Sequence, residues 1–489
     1  MAEVTKEAMV GRFNRREFMK LSAAGAVGAT LSVEAAAAAP TLATAGPNGN
    51  LEVWQTAGAA RHQSLASLKW GTQAKQGARV VEIDPTREFQ SVLGFGAALT
   101  DAACFTINRL SPDARKQLMH EFFHPSELGF NVSRVCIGAS DYSTKAYSYS
   151  EGTEPDPDLA RFSIEHDRAY ILPVLREARA LSPDMWLMAT PWSPPAWMKF
   201  NGSMLGGTMR KKWLKTYSVY FEKFLDAYAA EGVRINSVTS QNEVDTDQDG
   251  RMPACTWPQE IEIEFIRDFL GPKMKTAKNP ADIWILDHNY NLWGRVLDTL
   301  EDEKVSPFIK GVAWHGYVGT PDAMTKVAEK HPQVDQFWTE GGPDFEKPGY
   351  ETEWTKWAGD FTDVLRNRAR SIIAWNYALD EAGKPNIGPF QCAGVVTVDS
   401  KTAAITRGGQ YWAFAHFSRH IRKGAKIVAS SSKDSATGIQ HVVARNSDNS
   451  YVAVLTNKGT AAADVSLRLG TSSVDVNVPA DSVTTLKWS

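Results

Sequence analysis

The sequence predicts an α/β chain: a (β/α)8 barrel, the TIM-barrel architecture, with an accessory β-sandwich built from the C-terminal region plus N-terminal strands. Three observations predict it. Short apolar runs alternate with helix-period stretches through the middle of the chain, about eight times. From about residue 405 the chain returns to strand-like runs separated by Asn, Gly and Ser. At 489 residues, with 43% hydrophobic and 22% charged residues, there is length enough for one large domain and a smaller one.

In chain order, residues 1–39 read as a twin-arginine signal. Asn14-Arg15-Arg16-Glu17-Phe18-Met19-Lys20 is followed by a moderately apolar stretch from Leu21 to Leu31 and a small-residue region at Ala35–Ala39. That stretch is too short to span a membrane, so an exported protein is expected, periplasmic or extracellular, with no transmembrane segment. Residues 40–88 supply strands for the sandwich, with Val53–Thr56 and Ala78–Ile83 as candidates and Asp84-Pro85 as the turn after them. Residues 89–404 form the barrel. Its runs lie at 92–98, 131–138, 185–190, 237–243, 282–286, 311–315, 337–340 and 371–376, with amphipathic stretches such as Lys212–Glu231 and Pro258–Leu270 between them. Residues 405–489 complete the sandwich, with runs at 426–429, 441–444, 451–456, 463–467 and 483–486. A doubly wound sheet is the rival architecture. Against it, Gly94-Phe95-Gly96 runs on into Ala97-Ala98 and no Gly-rich phosphate fingerprint opens a helix.

Composition narrows the function classes. A net charge of -3 gives no electrostatic case for nucleic acid or an anionic membrane as main partner. The 16 Trp are many for this length, and indole faces both fill cores and stack on sugar rings. Cys104, Cys136, Cys255 and Cys392 are scattered without CxxC or metal spacing. Because the twin-arginine route exports already folded protein, they read as free, mostly buried thiols. Asp245-Thr246-Asp247-Gln248-Asp249-Gly250 resembles the start of a calcium loop, but its twelfth position is Thr256, so an acidic turn beside the barrel mouth is the better reading. No histidine pair has zinc spacing, and no serine sits in a nucleophile elbow. Neither a metal nor a cofactor is expected.

Barrel enzymes carry their chemistry at the C-terminal ends of the strands. Here those ends are polar or aromatic: Arg134 and Asp141 at the second, Trp192 after the third, Asn242 and Glu243 at the fourth, His315 and Tyr317 at the sixth, Glu340 at the seventh, Trp375 and Asn376 at the eighth. Two carboxylates from strands on opposite sides of the mouth are the minimum for cleaving a glycosidic bond. A separation of about 5–5.5 Å means a covalent intermediate and retention, and about 6.5–9.5 Å means inversion. The acid is expected in surroundings that raise its pKa, and the nucleophile beside donors, with Arg134, His315 or Tyr317 to supply them.

These residues resemble glycoside hydrolase family 30, the glucosylceramidase-like retaining β-glycosidases. The resemblance rests on Gly94–Ala103, Arg134–Ser143, Pro191–Lys199, Tyr220–Tyr228, Gln241-Asn242-Glu243 and Trp338-Thr339-Glu340, and covers nearly the whole chain after the signal. It implies Glu243 as acid/base, Glu340 as nucleophile, and Asn242 as a partner of the sugar 2-hydroxyl. It implies that Asp141, Trp192 and Trp375 hold the terminal glucose, and that Arg134, His315 and Tyr317 form the polar shell of the nucleophile. Three places depart from the pattern: Val244 stands where the family usually has Pro, Gly316 separates His315 from Tyr317, and Gly341-Gly342-Pro343 follows Glu340. Those loops bear on the leaving group. The expected activity is hydrolysis of β-D-glucosides, with a β-glucoside, glycolipid or β-glucan as substrate; β-1,6-glucan and then xylan or xyloside cleavage are the enzyme alternatives. A non-catalytic carbohydrate-binding protein and a wall-associated scaffold are the alternatives of another class.

Overall fold

A computed structural model describes residue 47 and residues 49–344, 349–432 and 438–489. The expected twin-arginine segment lies outside the described residues. Eight parallel strands form the barrel: Gly94–Ala97, Val132–Cys136, Trp186–Thr190, Ser237–Thr239, Asp282–Asn289, Ile309–His315, Asp335–Glu340 and Ala369–Ala374. They neighbour one another in chain order. The first pairs with the eighth, and a bridge between Ala98 and Arg134 joins the first to the second. The sheet therefore closes, which the doubly wound rival cannot do. Closure depends on Gly96, because a Cβ there would meet the Val132 carbonyl oxygen at 1.8 Å.

Each intervening helix turns one apolar stripe to the barrel. In Leu214–Ala230 the buried apolar and aromatic residues are Leu214, Tyr217, Tyr220, Phe221, Phe224, Leu225 and Tyr228, at intervals of three and four. Asp101–Asn108 starts where Thr100 accepts from the Ala103 amide, and Pro112–Phe123 starts at a Ser-Pro pair whose serine accepts from the Ala114 amide. Inside the barrel the alternation of strands builds layers. Val132, Met188, Trp284, Ala313, Phe337 and Ile373 make an apolar floor, with the Trp284 and Phe337 rings stacked at 3.8 Å. Two residues further along, the inward positions become Arg134, Thr190, His315 and Thr339, all buried. A polar storey thus sits on the apolar floor, at the strand ends where chemistry is expected.

The second unit of structure is a nine-stranded sheet that folds over on itself. Its core includes Leu51, Val53, Val81, Val443, Leu455, Val465, Val476 and Leu486. Asn50–Ala57, Ala60–Lys69 and Arg79–Ser91 come from before the barrel and the other six strands from after it. On the outer face Val442, Ala444, Val452, Val454 and Val483 pack into the barrel's core with the helices Trp354–Arg366 and Gly409–Phe417. Alternation therefore divides these strands between two cores.

Several details differ from the sequence reading. Asp84-Pro85 is not a turn between elements: the strand runs on to Ser91 past a register shift, with Asp84 accepting from the Thr86 amide. Ala60–Lys69 carries no apolar alternation because it is a mostly exposed edge strand. Ser472–Val478 was readable, since Val474, Val476 and Val478 alternate inward. After the barrel, Ile405–Arg407 pairs with Val396–Val398 rather than with the large sheet, and a helix follows before the expected strand at Lys426. Cys104, Cys136, Cys255 and Cys392 are free, and no helix among the described residues is long and apolar enough to cross a membrane.

Candidate active site

The barrel mouth opens on a cup of about 910 Å³ whose walls include Asp141, Trp192, Asn242, Glu243, Glu340 and Trp375. Neither glutamate is placed by plain strand geometry. The fourth strand ends at Thr239, and Glu243 lies four residues on at φ 52°, its amide donating to the Asp287 carbonyl at 3.0 Å. Glu340 ends its strand beyond a register shift between Trp338 and itself. Strict alternation would point it away from the barrel axis, like Trp338; the shift turns it into the mouth.

Arg134 is the cation around which the acids are arranged. It is fully buried, and its guanidinium donates to Glu340 Oε2, to Asp287 Oδ2 at 2.7 Å and to Asn242 Oδ1 at 2.7 Å. Burial alone would lower its pKa, but the Asp287 and Glu340 carboxylates push it up, so it stays charged. Its carbon Cζ lies 4.6 Å from the Trp192 ring centroid, and Trp192 stacks on Trp375 at 5.2 Å. Because Asn242 Oδ1 is taken by Arg134, its amide nitrogen is left for a ligand. Tyr317 donates to the other Glu340 oxygen at 3.0 Å. Both oxygens of Glu340 thus accept from donors, the environment expected of an ionised nucleophile.

His315 lies between the two glutamates. Its Nδ1 is 3.4 Å from Glu243 Oε1, and its Nε2 is 2.9 Å from Asp287 Oδ1 and 3.8 Å from Glu340 Oε2. Burial acts to lower its pKa, yet Glu340, Asp287 and Glu243 together raise it to about 9, so the ring is an imidazolium at neutral pH. For Glu243 the sequence expectation is corrected. Burial does act upward, but His315, His288 and the amide of Gln248, which donates at 2.8 Å, outweigh it and hold the carboxyl below its ordinary value. The expected raised acid is instead Asp141. It is 4% exposed, its Oδ1 has no partner, and burial with the charges of Glu340 and Glu243 pushes its pKa up. A buried carboxyl oxygen without a partner at the cup wall is a ready site for a sugar hydroxyl.

All nine expected site residues gather here: Asp141, Trp192, Asn242, Glu243, Glu340 and Trp375 on the cup wall, Arg134 and His315 beneath it, and Tyr317 on the rim. The sequence reading missed Asp287 and His288, and it gave Asp245 and Gln248 only as members of an acidic turn beside the mouth. Asp287 is fully buried and accepts from Arg134, His315, Thr190, Thr239 and Thr339. Burial would raise its pKa, but the Arg134 charge and His315 hold it well below the carboxylate range. The fifth strand was taken to stop at Leu286 and runs on to Asn289. Positive φ values at Leu286 and Asp287, with a register shift, form a bulge that swings the Asp287 side chain inward. The polar triplet Asp287-His288-Asn289 after an apolar run was the signal that could have found it. The acidic turn stands at the rim as expected, with Asp245 2.6 Å from His288 Nε2. Ligand atoms of Glu243, His288 and His315 lie within 4.8 Å of one another, a spacing a metal ion could use. In this structure the two His315 nitrogens are turned instead to the Glu243 and Asp287 carboxylates, 3.4 and 2.9 Å away.

Comparisons with known proteins agree with this geometry. The family described as "Glycosyl hydrolase family 30 TIM-barrel domain" matches residues 92–421, and its "beta sandwich domain" matches 424–486. An endo-1,6-beta-D-glucanase of Neurospora crassa is 30% identical over 77% of this chain and 81% of its own. The lysosomal acid glucosylceramidase of Mus musculus is 28% identical over 78% of each. Among solved structures, the endo-beta1,6-glucanase BT3312 superposes with a TM-score of 0.82 at 26% identity, covering 90% of this chain and all of that one. Closed barrel, paired glutamates and sequence together identify this chain as a member of glycoside hydrolase family 30.

Proposed function

We propose that this chain cleaves β-D-glucosidic bonds by double displacement, with Glu340 as nucleophile and Glu243 as acid/base. The observation that carries the reading is the asymmetry of the two carboxylates. Glu340 takes a hydrogen bond from Arg134 on one oxygen and Tyr317 on the other, while Glu243 faces the cup with the protonated His315 behind it. In the first step a Glu340 oxygen bonds to the anomeric carbon as that carbon's bond to the leaving oxygen breaks, and Glu243 gives the leaving oxygen its proton. In the second, Glu243 takes a proton from water, whose oxygen attacks the anomeric carbon and releases Glu340. Esterification removes the Glu340 charge, an anion that helps keep His315 protonated. Asn242, through its free amide nitrogen, holds the 2-hydroxyl, and Asp141 with the Trp192–Trp375 stack holds the rest of the glucosyl ring.

Because Glu243 is held low in the resting site, protonation before the first step favours acidic pH. The test is an assay on an aryl β-glucoside, a β-1,6-glucan, glucosylceramide and xylan, with Glu340→Ala as control. Hydrolysis of a β-glucoside by the wild type that the variant loses supports the reading; equal rates would remove Glu340 from the mechanism. We further propose export by the twin-arginine route, supported by Arg15-Arg16 and the stretch after them. Retention of Arg15→Lys/Arg16→Lys in the cytoplasm would support this, and unchanged export would end it.

A further inference from the structure

The mouth network leaves a buried nitrogen without a partner beside the acid/base. His288 is 7% exposed, and its Nδ1 makes no hydrogen bond. That nitrogen lies 3.6 Å from Glu243 Oε1, and His315 Nδ1 lies 3.4 Å from the same oxygen. The bulge at Leu286 and Asp287 makes this possible, because it brings two successive residues of the fifth strand, Asp287 and His288, to the mouth. Ligand atoms of Glu243, His288 and His315 all lie within 4.8 Å of one another. No spacing along the chain announces the trio, since its members follow or end the fourth, fifth and sixth strands.

The far side of each ring is fixed. His288 Nε2 is 2.6 Å from Asp245 Oδ1, and His315 Nε2 is 2.9 Å from Asp287 Oδ1. Carboxylates only accept, so both Nε2 atoms carry hydrogen, and each ring turns its Nδ1 to the shared Glu243 oxygen. Such carboxylate–imidazole pairs fix the tautomer and raise the basicity of a metal-binding nitrogen. Tetrahedral zinc with bonds of about 2.0–2.1 Å spaces its ligand atoms about 3.3 Å apart. The 3.4 and 3.6 Å seen here need only a small adjustment to match. Two imidazoles and one carboxylate suit zinc; magnesium and calcium prefer oxygen alone. The cup is open to water for a fourth ligand. The carboxylates of Glu243, Asp245, Asp287 and Glu340 face the two rings, with Arg134 and Arg295 as the cations set against them. Added positive charge is therefore favoured.

We propose that Glu243, His288 and His315 form a zinc site that switches the enzyme off. The ion bonds to the two Nδ1 lone pairs and to Glu243 Oε1, and the proton that His315 held towards Glu243 is released to water. With that oxygen taken, Glu243 can neither hold a proton for the leaving oxygen nor take one from water. The inhibition rests on the function reading above; the binding does not.

The test measures how zinc chloride inhibits hydrolysis of an aryl β-glucoside in wild type, His288→Gln and Asp245→Asn, each against its own metal-free rate. Wild type is expected to lose activity and to regain it with EDTA, while magnesium and calcium chloride have no effect. His288→Gln keeps an amide for Asp245 but offers no Nδ1, and Asp245→Asn withdraws the anion behind the ring. The zinc inhibition constant should rise about tenfold or more in each. Calorimetry of zinc binding needs no substrate, and one site is expected in wild type that His288→Gln loses. Anomalous scattering from zinc-soaked crystals then locates the ion. Zinc bonded to Glu243 and both imidazoles supports the inference. Zinc found only at the exposed His120 and its neighbour His124, whose rings stack at 4.3 Å, overturns it. Unchanged inhibition constants in both variants overturn it too, as does zinc bound at the mouth without loss of rate. A wild type inactive on every β-glucoside brings down the function reading instead, and calorimetry then decides the site alone.

Discussion

Of two groups of histidines, the one under the barrel mouth is held charged and the one where the sandwich meets the barrel is held neutral. At the mouth His315 is fully buried among Asp287, Glu243 and Glu340, and its pKa rises to about 9. At the junction, burial and Arg419 lower His62 to about 3, while His416 and His420 fall well below the ordinary value. There the facing charges are Arg419, Arg422 and Lys487, with no carboxylate among the causes. His416 lies between the hydroxyls of Thr56 and Thr485 at 2.8 and 2.9 Å, and the Nε2 atoms of His62 and His420 are 2.9 Å apart. One must donate and the other accept, so both cannot be protonated. Burial pushes every one of these rings towards neutrality; only fixed anions reverse it. One junction is neutral and serves to join two units, and the other keeps charge because charge is its task.

The largest expected break comes from removing the anion that sets the difference. Asp287→Asn leaves Arg134 and His315 short of a buried partner, a loss of about 3–5 kcal/mol in folding stability. It also frees the two side chains that orient the glutamates, so kcat should fall on the order of 10²-fold. Urea unfolding and initial rates on an aryl β-glucoside check both. Full activity would show that the mouth network is not what orients the acids. Tyr317→Phe is smaller. It deletes one hydrogen bond to the Glu340 carboxylate from a rim residue that is 45% exposed, and should lower kcat/KM about tenfold while unfolding stays near wild type.

The junction gives the smallest effect and the clearest sign. His62 has its folded pKa depressed from 6.5 to about 3, so the unfolded chain binds the extra proton between those values. Its contribution is fully present above pH 6.5 and is lost as pH falls through that window. His315 is the opposite case: its contribution is complete below 6.5 and is lost as pH rises through about 9. His62→Asn removes the titration and suits the left-handed backbone at φ 47°. The slope of unfolding free energy between pH 6 and pH 4 should flatten by at most about 1.4 kcal/mol per pH unit, with little change at pH 7.5. An unaltered acid limb would place acid sensitivity elsewhere.

What the sequence disclosed follows the same division. The apolar runs ending in Glu243 and Glu340 were legible because strand, carboxylate and neighbours are contiguous, and Arg134, His315 and Trp375 lie within or directly after such runs. Asp287 was not, because a bulge breaks the alternation by which inward residues are counted. The net lowering of Glu243 was hidden too, since it depends on imidazoles from the fifth and sixth strands. The histidine junction joins residues 62, 416 and 420, which no local pattern brings together.

In the proposed mechanism Glu340 attacks the sugar and Glu243 protonates the leaving oxygen, so the reaction passes through a covalent intermediate. Proton NMR of the anomeric signals, followed from the first turnovers of an aryl β-glucoside, tests it most directly. Double displacement releases β-glucose first, with the α anomer growing in only at the rate of mutarotation. The α anomer appearing first would mean single displacement by water and would contradict it.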